Sequence, residues 1–320
     1  MMWQIRFIQE IFFLEIRKML KVYKKIFLII FSCCVLGELI MRWCGFCDAP
    51  LYYNDPACGY SLVPNQQLTR FGNKYMTNEY GMRSDSLGDN EFRILFVGDS
   101  VLNGGTQTDQ SKLASQMLDE KYRQNDIRVL NISCGGWGVD NEAGFFRKFG
   151  VLEGKLIVLL VNSHDAVGTI SPTPIAGNSK NFPETQYSLA WIELFDRYII
   201  PKVKGKIGIK DTINDTNTSI GNEHSEGWKY FICLSQDYNI PLVIYLHAEE
   251  SEMKNGKYNN NGQWILQYAK QHNVPVIQDL SVIKETDYRD GIHLKENGQH
   301  VIFDLLDPVI DDFLKNKGVN

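Results

Sequence analysis

The chain has 320 residues, 44% apolar and 22% charged, a globular composition that excludes collagen-like, coiled-coil, disulfide-scaffold and disordered classes. Its 33 Lys plus Arg stand against 38 Asp plus Glu, a net charge of −5. Seven basic and three acidic residues fall within positions 1–42, so the remainder carries 26 basic against 35 acidic residues, and that acidic body is a poor partner for nucleic acid.

Ile26–Met41 is the one strongly apolar run, broken only by Glu38. Sixteen helical residues reach about 24 Å, and Val22, Tyr23 and Trp43 extend them towards a hydrocarbon layer of about 30 Å. The run reads as a transmembrane anchor at 26–43. Basic residues precede it, so the positive-inside rule expects 1–25 in the cytoplasm and the body outside. No small-residue cleavage site follows, which favours a retained anchor over a signal peptide; a core helix of a soluble protein is the alternative. Of the seven cysteines, Cys44 and Cys47 have the spacing of half a zinc site, without a second pair to complete it, or could pair with each other or with Cys58 in an oxidising space.

Residues 44–90, rich in Asn, Gly, Pro and Tyr, read as an extended segment with turns that wraps the body. From Phe92 strand and helix signals alternate. Strands are expected at Arg93–Val97, Ile127–Ile132, Leu156–Val161, Pro241–His247 and Val274–Leu280, with helices at Gln110–Tyr122, Asn141–Phe149, Asn261–His272 and from Glu296 to Leu314. Continuously apolar strands separated by helices imply parallel pairing with both faces covered, hence a three-layer α/β/α sandwich at 91–316 on a mainly parallel five-stranded sheet. Residues 171–227, with four prolines and a polar stretch at 211–222, read as an insertion near the strand ends.

Ligands of open parallel sheets bind beyond the carboxyl ends of the strands. There the first strand delivers Gly98-Asp99-Ser100, the second Gly135-Gly136, the third Asn162-Ser163-His164-Asp165, and the region after the fifth Asp290-Gly291-Ile292-His293. A hydroxyl nucleophile needs a base, and the base an orienting carboxylate. Asp290 is close enough in chain to accept from His293 Nδ1, leaving Nε2 for the proton of Ser100. Oxyanion donors are then expected from the Ser100 amide, Gly135 or Gly136, and a side chain of the third turn, Asn162 or His164.

These blocks, in this order, resemble the SGNH (GDSL-type) hydrolase superfamily over about residues 91–316. Phe96-Val97-Gly98-Asp99-Ser100 is similar to its nucleophile block, Asn131 to Gly138 to its glycine block, and Asp290-Gly291-Ile292-His293-Leu294 to its last block. The third block departs from the usual Gly-x-Asn-Asp: His164 stands where the oxyanion Asn is expected and Asn162 lies two residues earlier. Neutral His164 would donate one hydrogen bond in a tautomer-dependent way. Gly59–Asn65 and Thr77–Arg83 are also similar to membrane-anchored members, which are associated with modifying cell-surface polysaccharides.

The resemblance implies a flavodoxin-like sandwich and an extracytoplasmic serine esterase acting on O-acyl, chiefly O-acetyl, groups of an acylated carbohydrate through an acyl-enzyme on Ser100. A sugar hydroxyl in place of water would make the same site an O-acyltransferase. Two further readings stay open: an enzyme of this fold acting on lipid or thioester acyl chains, which the polar insertion disfavours, and a silent glycan-binding or scaffold protein, which the third block motivates. Trp137, Trp191 and Trp228 are candidates for stacking on sugar rings. Neither a P-loop nor a dinucleotide fingerprint is present, and His164, His224, His247, His272 and His300 lack ligand spacing, so no metal or cofactor is expected. Asn131, Asn214 and Asn217 begin glycosylation sequons, the first on a strand expected to be buried.

Overall fold

The computed structural model describes residues 2–207 and 219–319. It opens on helix α1, Met2–Trp43, whose Phe12–Trp43 part is long and apolar enough to cross a membrane. The apolar run is therefore only the last part of a longer helix, and positions 2–25 belong to that same helix rather than to a separate segment.

Residues 44–90 are more ordered than their polarity suggested. Two antiparallel hairpins form here, β1 (Tyr52–Asp55) with β2 (Gly59–Leu62) and β3 (Gln67–Arg70) with β4 (Asn73–Met76). Tyr60, Leu62, Tyr75 and Met82 join the main core. Buried Arg83 ties the segment to the body by donating to the carbonyls of Asn103, Gly105 and Thr108, with its guanidinium over the Tyr75 ring at 4.1 Å. Desolvation lowers its pKa to about 10, still cationic at neutral pH, so those carbonyls satisfy a buried charge.

The body begins with β5 (Phe92–Gly98), then α2 (Ser100–Asn103), α3 (Ala114–Tyr122), β6 (Ile127–Ser133), α4 (Val139–Phe149) and β7 (Gly154–Asn162). It continues through β8 (Val167–Ile170), α5 (Ala190–Glu193), α6 (Ile200–Lys206), β9 (Ser219–His224), α7 (Gly227–Asp237) and β10 (Leu242–His247). It closes with α8 (Glu250–Asn255), α9 (Asn260–Gln271), β11 (Val276–Gln278) and α10 (Glu296–Lys317). The helix expected from Gln110 starts only at Ala114, because Asp109 accepts from the Ser111 amide and holds Gln110–Lys112 as a separate 3-10 turn.

The central sheet has order β11-β10-β7-β5-β6, parallel throughout. Strands β6 and β10 are buried along their whole length, as a sheet covered on both faces requires. Helix α3 packs against α10, and α4 against α7. Strand β5 connects outward to β6 and its other neighbour β7 connects towards β10, so the chain reverses direction between β5 and β7. That reversal leaves a crevice at their carboxyl ends.

The insertion forms its own outwork. Strands β8 and β9 pair antiparallel. Between them, α5 passes through a π-helical turn at Leu194–Ile199 into α6, ahead of Pro201, whose ring removes a helical N–H. Buried Glu193 pairs with Arg70 of β3 and accepts from the Cys47 amide at 2.6 Å, which fastens this outwork to the second hairpin. Most of the polar stretch, with the sequons at Asn214 and Asn217, lies outside the described residues. All seven cysteines are free; Cys58 is buried, and the pairings considered for Cys44, Cys47 and Cys58 are not made.

Candidate active site

Ser100 is the first residue of α2, directly beyond β5. Asp99 caps that helix, its Oδ1 accepting from the Val101 amide at 2.8 Å. Gly98 is required by the close approach of β7: a Cβ there would meet the Leu160 carbonyl oxygen at 2.8 Å. The strand can therefore turn sharply and leave the Ser100 hydroxyl half-exposed at the mouth of the crevice.

His293 arrives from the other end of the chain with Nε2 3.0 Å from Ser100 Oγ. Its Nδ1 lies 2.9 Å from both carboxylate oxygens of Asp290, which accept only, so Nδ1 carries the proton and Nε2 presents its lone pair to the serine. Partial burial works to raise the Asp290 pKa, but amide bonds from His293 (2.8 Å) and Ile292 (3.2 Å) and the nearby imidazole outweigh it and hold the carboxyl below its ordinary range.

The loop carrying this pair is clamped from behind. Gly291 accepts from the Glu250 amide at 2.9 Å and His293 from the Arg289 amide at 2.8 Å. Fully buried His247 reaches the Ile292 carbonyl through Nε2 at 3.0 Å and Asp279 Oδ2 through Nδ1 at 2.6 Å. Both partners only accept, so both ring nitrogens carry protons. Burial alone would lower the His247 pKa; the Asp279 charge overrides it and raises the value. From sequence His247 was weighed only as a metal ligand, and Asp279 was not singled out. The available signal was a histidine ending a fully apolar strand, where a polar side chain needs a buried partner.

Gly135 and Gly136 line the cleft with Ser100. Tyr60 donates to the Gly135 carbonyl at 2.7 Å, and the trans peptide then aims the Gly136 N–H the opposite way. The two candidates of the third turn separate. Asn162 is fully buried behind the site and does not line the cleft, where an oxyanion donor was expected: its Oδ1 caps a 3-10 turn by accepting from the His164 amide at 3.2 Å, and its Nδ2 donates to Asp99 Oδ2 at 3.1 Å. His164 instead lines the cleft.

His164 stands among carboxylates, with Nε2 3.9 Å from Asp165 and 4.0 Å from Asp99, and Nδ1 3.4 Å from Glu249. Desolvation opposes its charge, but Asp165, Glu249 and Asp99 together push its pKa up to about 9. At neutral pH it is an imidazolium, a stronger hydrogen-bond donor than the neutral ring expected from sequence. Ligand atoms of Asp99, His164 and Asp165 converge within 4.8 Å, a grouping the sequence spacing did not reveal. The carboxylates there are engaged by Val101, Asn162 and the imidazole, so the group is an ion-pair network around one histidine. Behind it Glu142 is fully buried with both carboxylate oxygens unpartnered, and burial, reinforced by Asp165, Asp99 and Asp140, raises its pKa well above the ordinary range.

The cleft has a volume of about 610 Å3, and its outer wall comes from the first hairpin and the insertion, including Tyr52, Phe182 and Arg197, with Arg289 at the rim. Trp137 and Trp228 are buried, donating to the carbonyls of Tyr60 and Asp165, so neither can stack on a sugar; Trp191 lies against α1. A hydroxyl, an imidazole bonded to it, an orienting carboxylate and hydrogen-bond donors lining the same cleft form the equipment of acyl transfer.

No protein-family model and no curated protein matches the chain. Solved structures similar to it include the psychrotrophic esterase EstA from Pseudoalteromonas sp. (14% identity, TM-score 0.41, covering 70% of this chain and 100% of that one). They also include Est24, a carbohydrate acetylesterase from Sinorhizobium meliloti (10%, 0.37, 69% and 99%), and AlinE4, an SGNH-hydrolase family esterase (14%, 0.32, 72% and 99%). At these scores the site is read from its own geometry.

Proposed function

We propose that this protein is a membrane-anchored, extracytoplasmic serine esterase that removes O-acyl groups, chiefly O-acetyl, from a cell-surface glycan. The observation that carries the reading is the unbroken line of hydrogen bonds from Ser100 Oγ through His293 to Asp290, at 3.0 and 2.9 Å. Ser100 Oγ attacks the acyl carbonyl while His293 Nε2 takes its proton. The oxyanion meets the Ser100 and Gly136 amides and the imidazolium of His164. Collapse expels the sugar hydroxyl, which recovers the proton from His293, and water activated by the same imidazole then hydrolyses the acyl-serine to the free acid.

Charge in the cleft narrows the sugar. Arg70 and Arg197 share Glu193, and the buried Nη1 of Arg197, 3.9 Å from it, has no hydrogen-bond partner. Arg289 has Asp290 as its nearest carboxylate at 3.8 Å, and His293 already engages that group. This surplus of guanidinium favours a glycan bearing carboxylates.

The test is turnover of 4-nitrophenyl acetate and of an acetylated oligosaccharide by the full chain in detergent. Loss of both in Ser100→Ala and His293→Ala supports the reading, and turnover that survives Ser100→Ala overturns it. Acetate recovered on a second sugar rather than in water would move the enzyme to the transferases.

A further inference from the structure

Glu38, the one charge within the Ile26–Met41 run of α1, accepts from the amides of Ala190 at 2.9 Å and Trp191 at 3.2 Å, the opening residues of α5. Arg42 bonds Glu38 at 2.7 Å and the Ser188 carbonyl at 2.6 Å, and the Trp191 indole donates to the Cys34 carbonyl at 2.9 Å. Gly37 admits that indole: a Cβ there would lie 2.5 Å from the Trp191 ring. The insertion is thus docked on α1 along Cys34–Arg42, from the middle of its apolar run to the C-terminal end, which is the outer half of the bilayer if the helix spans as proposed.

From there α5, the π turn and α6 run as one amphipathic rod. Glu193 and Arg197 face the protein, whereas Ile192, Phe195, Ile199, Val203 and Ile207, spaced by three or four residues, are exposed on the other side. Val203 is half exposed and Ile207 more so. Lys202 and Lys206 are exposed beside this stripe. Apolar side chains flanked by lysines, continuous with the exposed apolar surface of the anchor, are the features of a helix lying in an interface, with its stripe in the acyl boundary and its ammonium groups at the phosphates.

We infer that the rod 190–207 is a second membrane contact, lying in the outer-leaflet interface beside the anchor and binding anionic lipid through Lys202 and Lys206. This rests on the anchor part of the reading above but not on catalysis. It also corrects the expectation of a mainly polar insertion: its described helical part presents an apolar face, directed at lipid as a surface rather than at acyl chains in the cleft.

The full chain in nanodiscs of phosphatidylcholine with phosphatidylglycerol separates the two membrane contacts. Co-migration with the discs tests the anchor, while alkylation by a membrane-impermeant maleimide, resolved by peptide mass spectrometry so that native cysteines do not interfere, tests the rod. The thiol introduced by Val203→Cys should react about tenfold more slowly than that introduced by Lys270→Cys, which is exposed on α9. A nitroxide on the Val203→Cys thiol should relax faster with dissolved oxygen than with a water-soluble nickel complex, and Lys202→Glu with Lys206→Glu should weaken that contrast. Equal alkylation at the two sites in disc-bound protein overturns the inference. Protection from oxygen and nickel alike, with a doubled particle mass, overturns it too by making the face a contact between copies.

Discussion

The buried imidazole of His247 bonds the carbonyl of Ile292, the residue immediately before His293. His247 cannot reach a substrate, yet it sets the height of the loop that presents the candidate base, with Asp279 fixing its orientation from the far side. It is a positioning residue.

His247→Gln keeps one amide donor but cannot bridge Asp279 and Ile292 as the ring does. kcat on 4-nitrophenyl acetate should fall by about 10- to 100-fold, the cost of a misplacement near 1 Å, with KM little changed. Because the His247 pKa is raised in the folded state, its stabilising effect is complete below the ordinary histidine range and is lost as pH rises through the raised value. The difference in melting temperature between wild type and variant should therefore shrink in alkaline buffer.

His164 carries a second pH signature. If His164 serves the oxyanion as proposed, its imidazolium is lost above about 9, so the rate should decline there as His164 deprotonates. His164→Asn supplies a donor that does not titrate, and its pH–rate profile should lack the alkaline decline. His164→Ala should lower kcat by about 10²–10³-fold, the usual effect of removing one oxyanion donor. A wild-type profile flat from about pH 8 to 10.5 would contradict the assignment.

The arginines of the cleft predict selectivity. Arg289→Met and Arg197→Met should each raise KM for an acetylated uronic-acid oligosaccharide by about 10- to 150-fold, since a hydrogen bond to a charged group is worth about 1.5–3 kcal/mol. KM for uncharged 4-nitrophenyl acetate should not change. Parallel losses on both substrates would point to a damaged site rather than to a missing partner for the sugar carboxylate.

Glu142 should cost stability at neutral pH. Its folded pKa lies above the unfolded value, so folding is most favoured below about pH 4.5 and is weakened as pH rises from there towards the raised value. Glu142→Gln removes that titration and should stabilise the protein by about 1–3 kcal/mol at pH 7, with little effect near pH 4, measured by thermal unfolding across pH.

What could be read from sequence follows from how each part is stabilised. Four of the five sheet strands, β5, β6, β7 and β10, are apolar runs buried on both faces, and burial of that kind leaves an unmistakable pattern; the order of the strands in the chain also located the crevice and the residues beside it. The two hairpins were missed because they are four-residue strands with polar exposed faces, and their core residues Tyr60, Leu62 and Tyr75 are too widely spaced to register as periodic. Asn162 was misread because a side-chain amide in a turn serves equally as a cap or as an oxyanion donor, and only the position of Asp99 decides. The charge of His164 is favoured first by its neighbour Asp165, but also by Glu249, 85 positions away, and by Asp99, which no local pattern connects to it. The rod 190–207 does carry helical spacing, but Pro201 and the π turn shift its phase, and with Pro172, Pro174 and Pro183 upstream the region read as loop.

The docking of Glu38 on α5 and of Arg42 on the Ser188 carbonyl leaves no slack tether between α1 and the body. Body and helix are joined through a tight turn at Cys44–Cys47 and side-chain bonds on both sides of it. If α1 spans a membrane as proposed, a body held in this way would keep its cleft at one height and tilt above the bilayer, searching in two dimensions rather than three. Polymer chains lying close to the membrane would pass the serine at a fixed angle, while the same acyl groups farther out would stay beyond its reach, so that position along the chain, as much as chemistry, would decide which residues are trimmed.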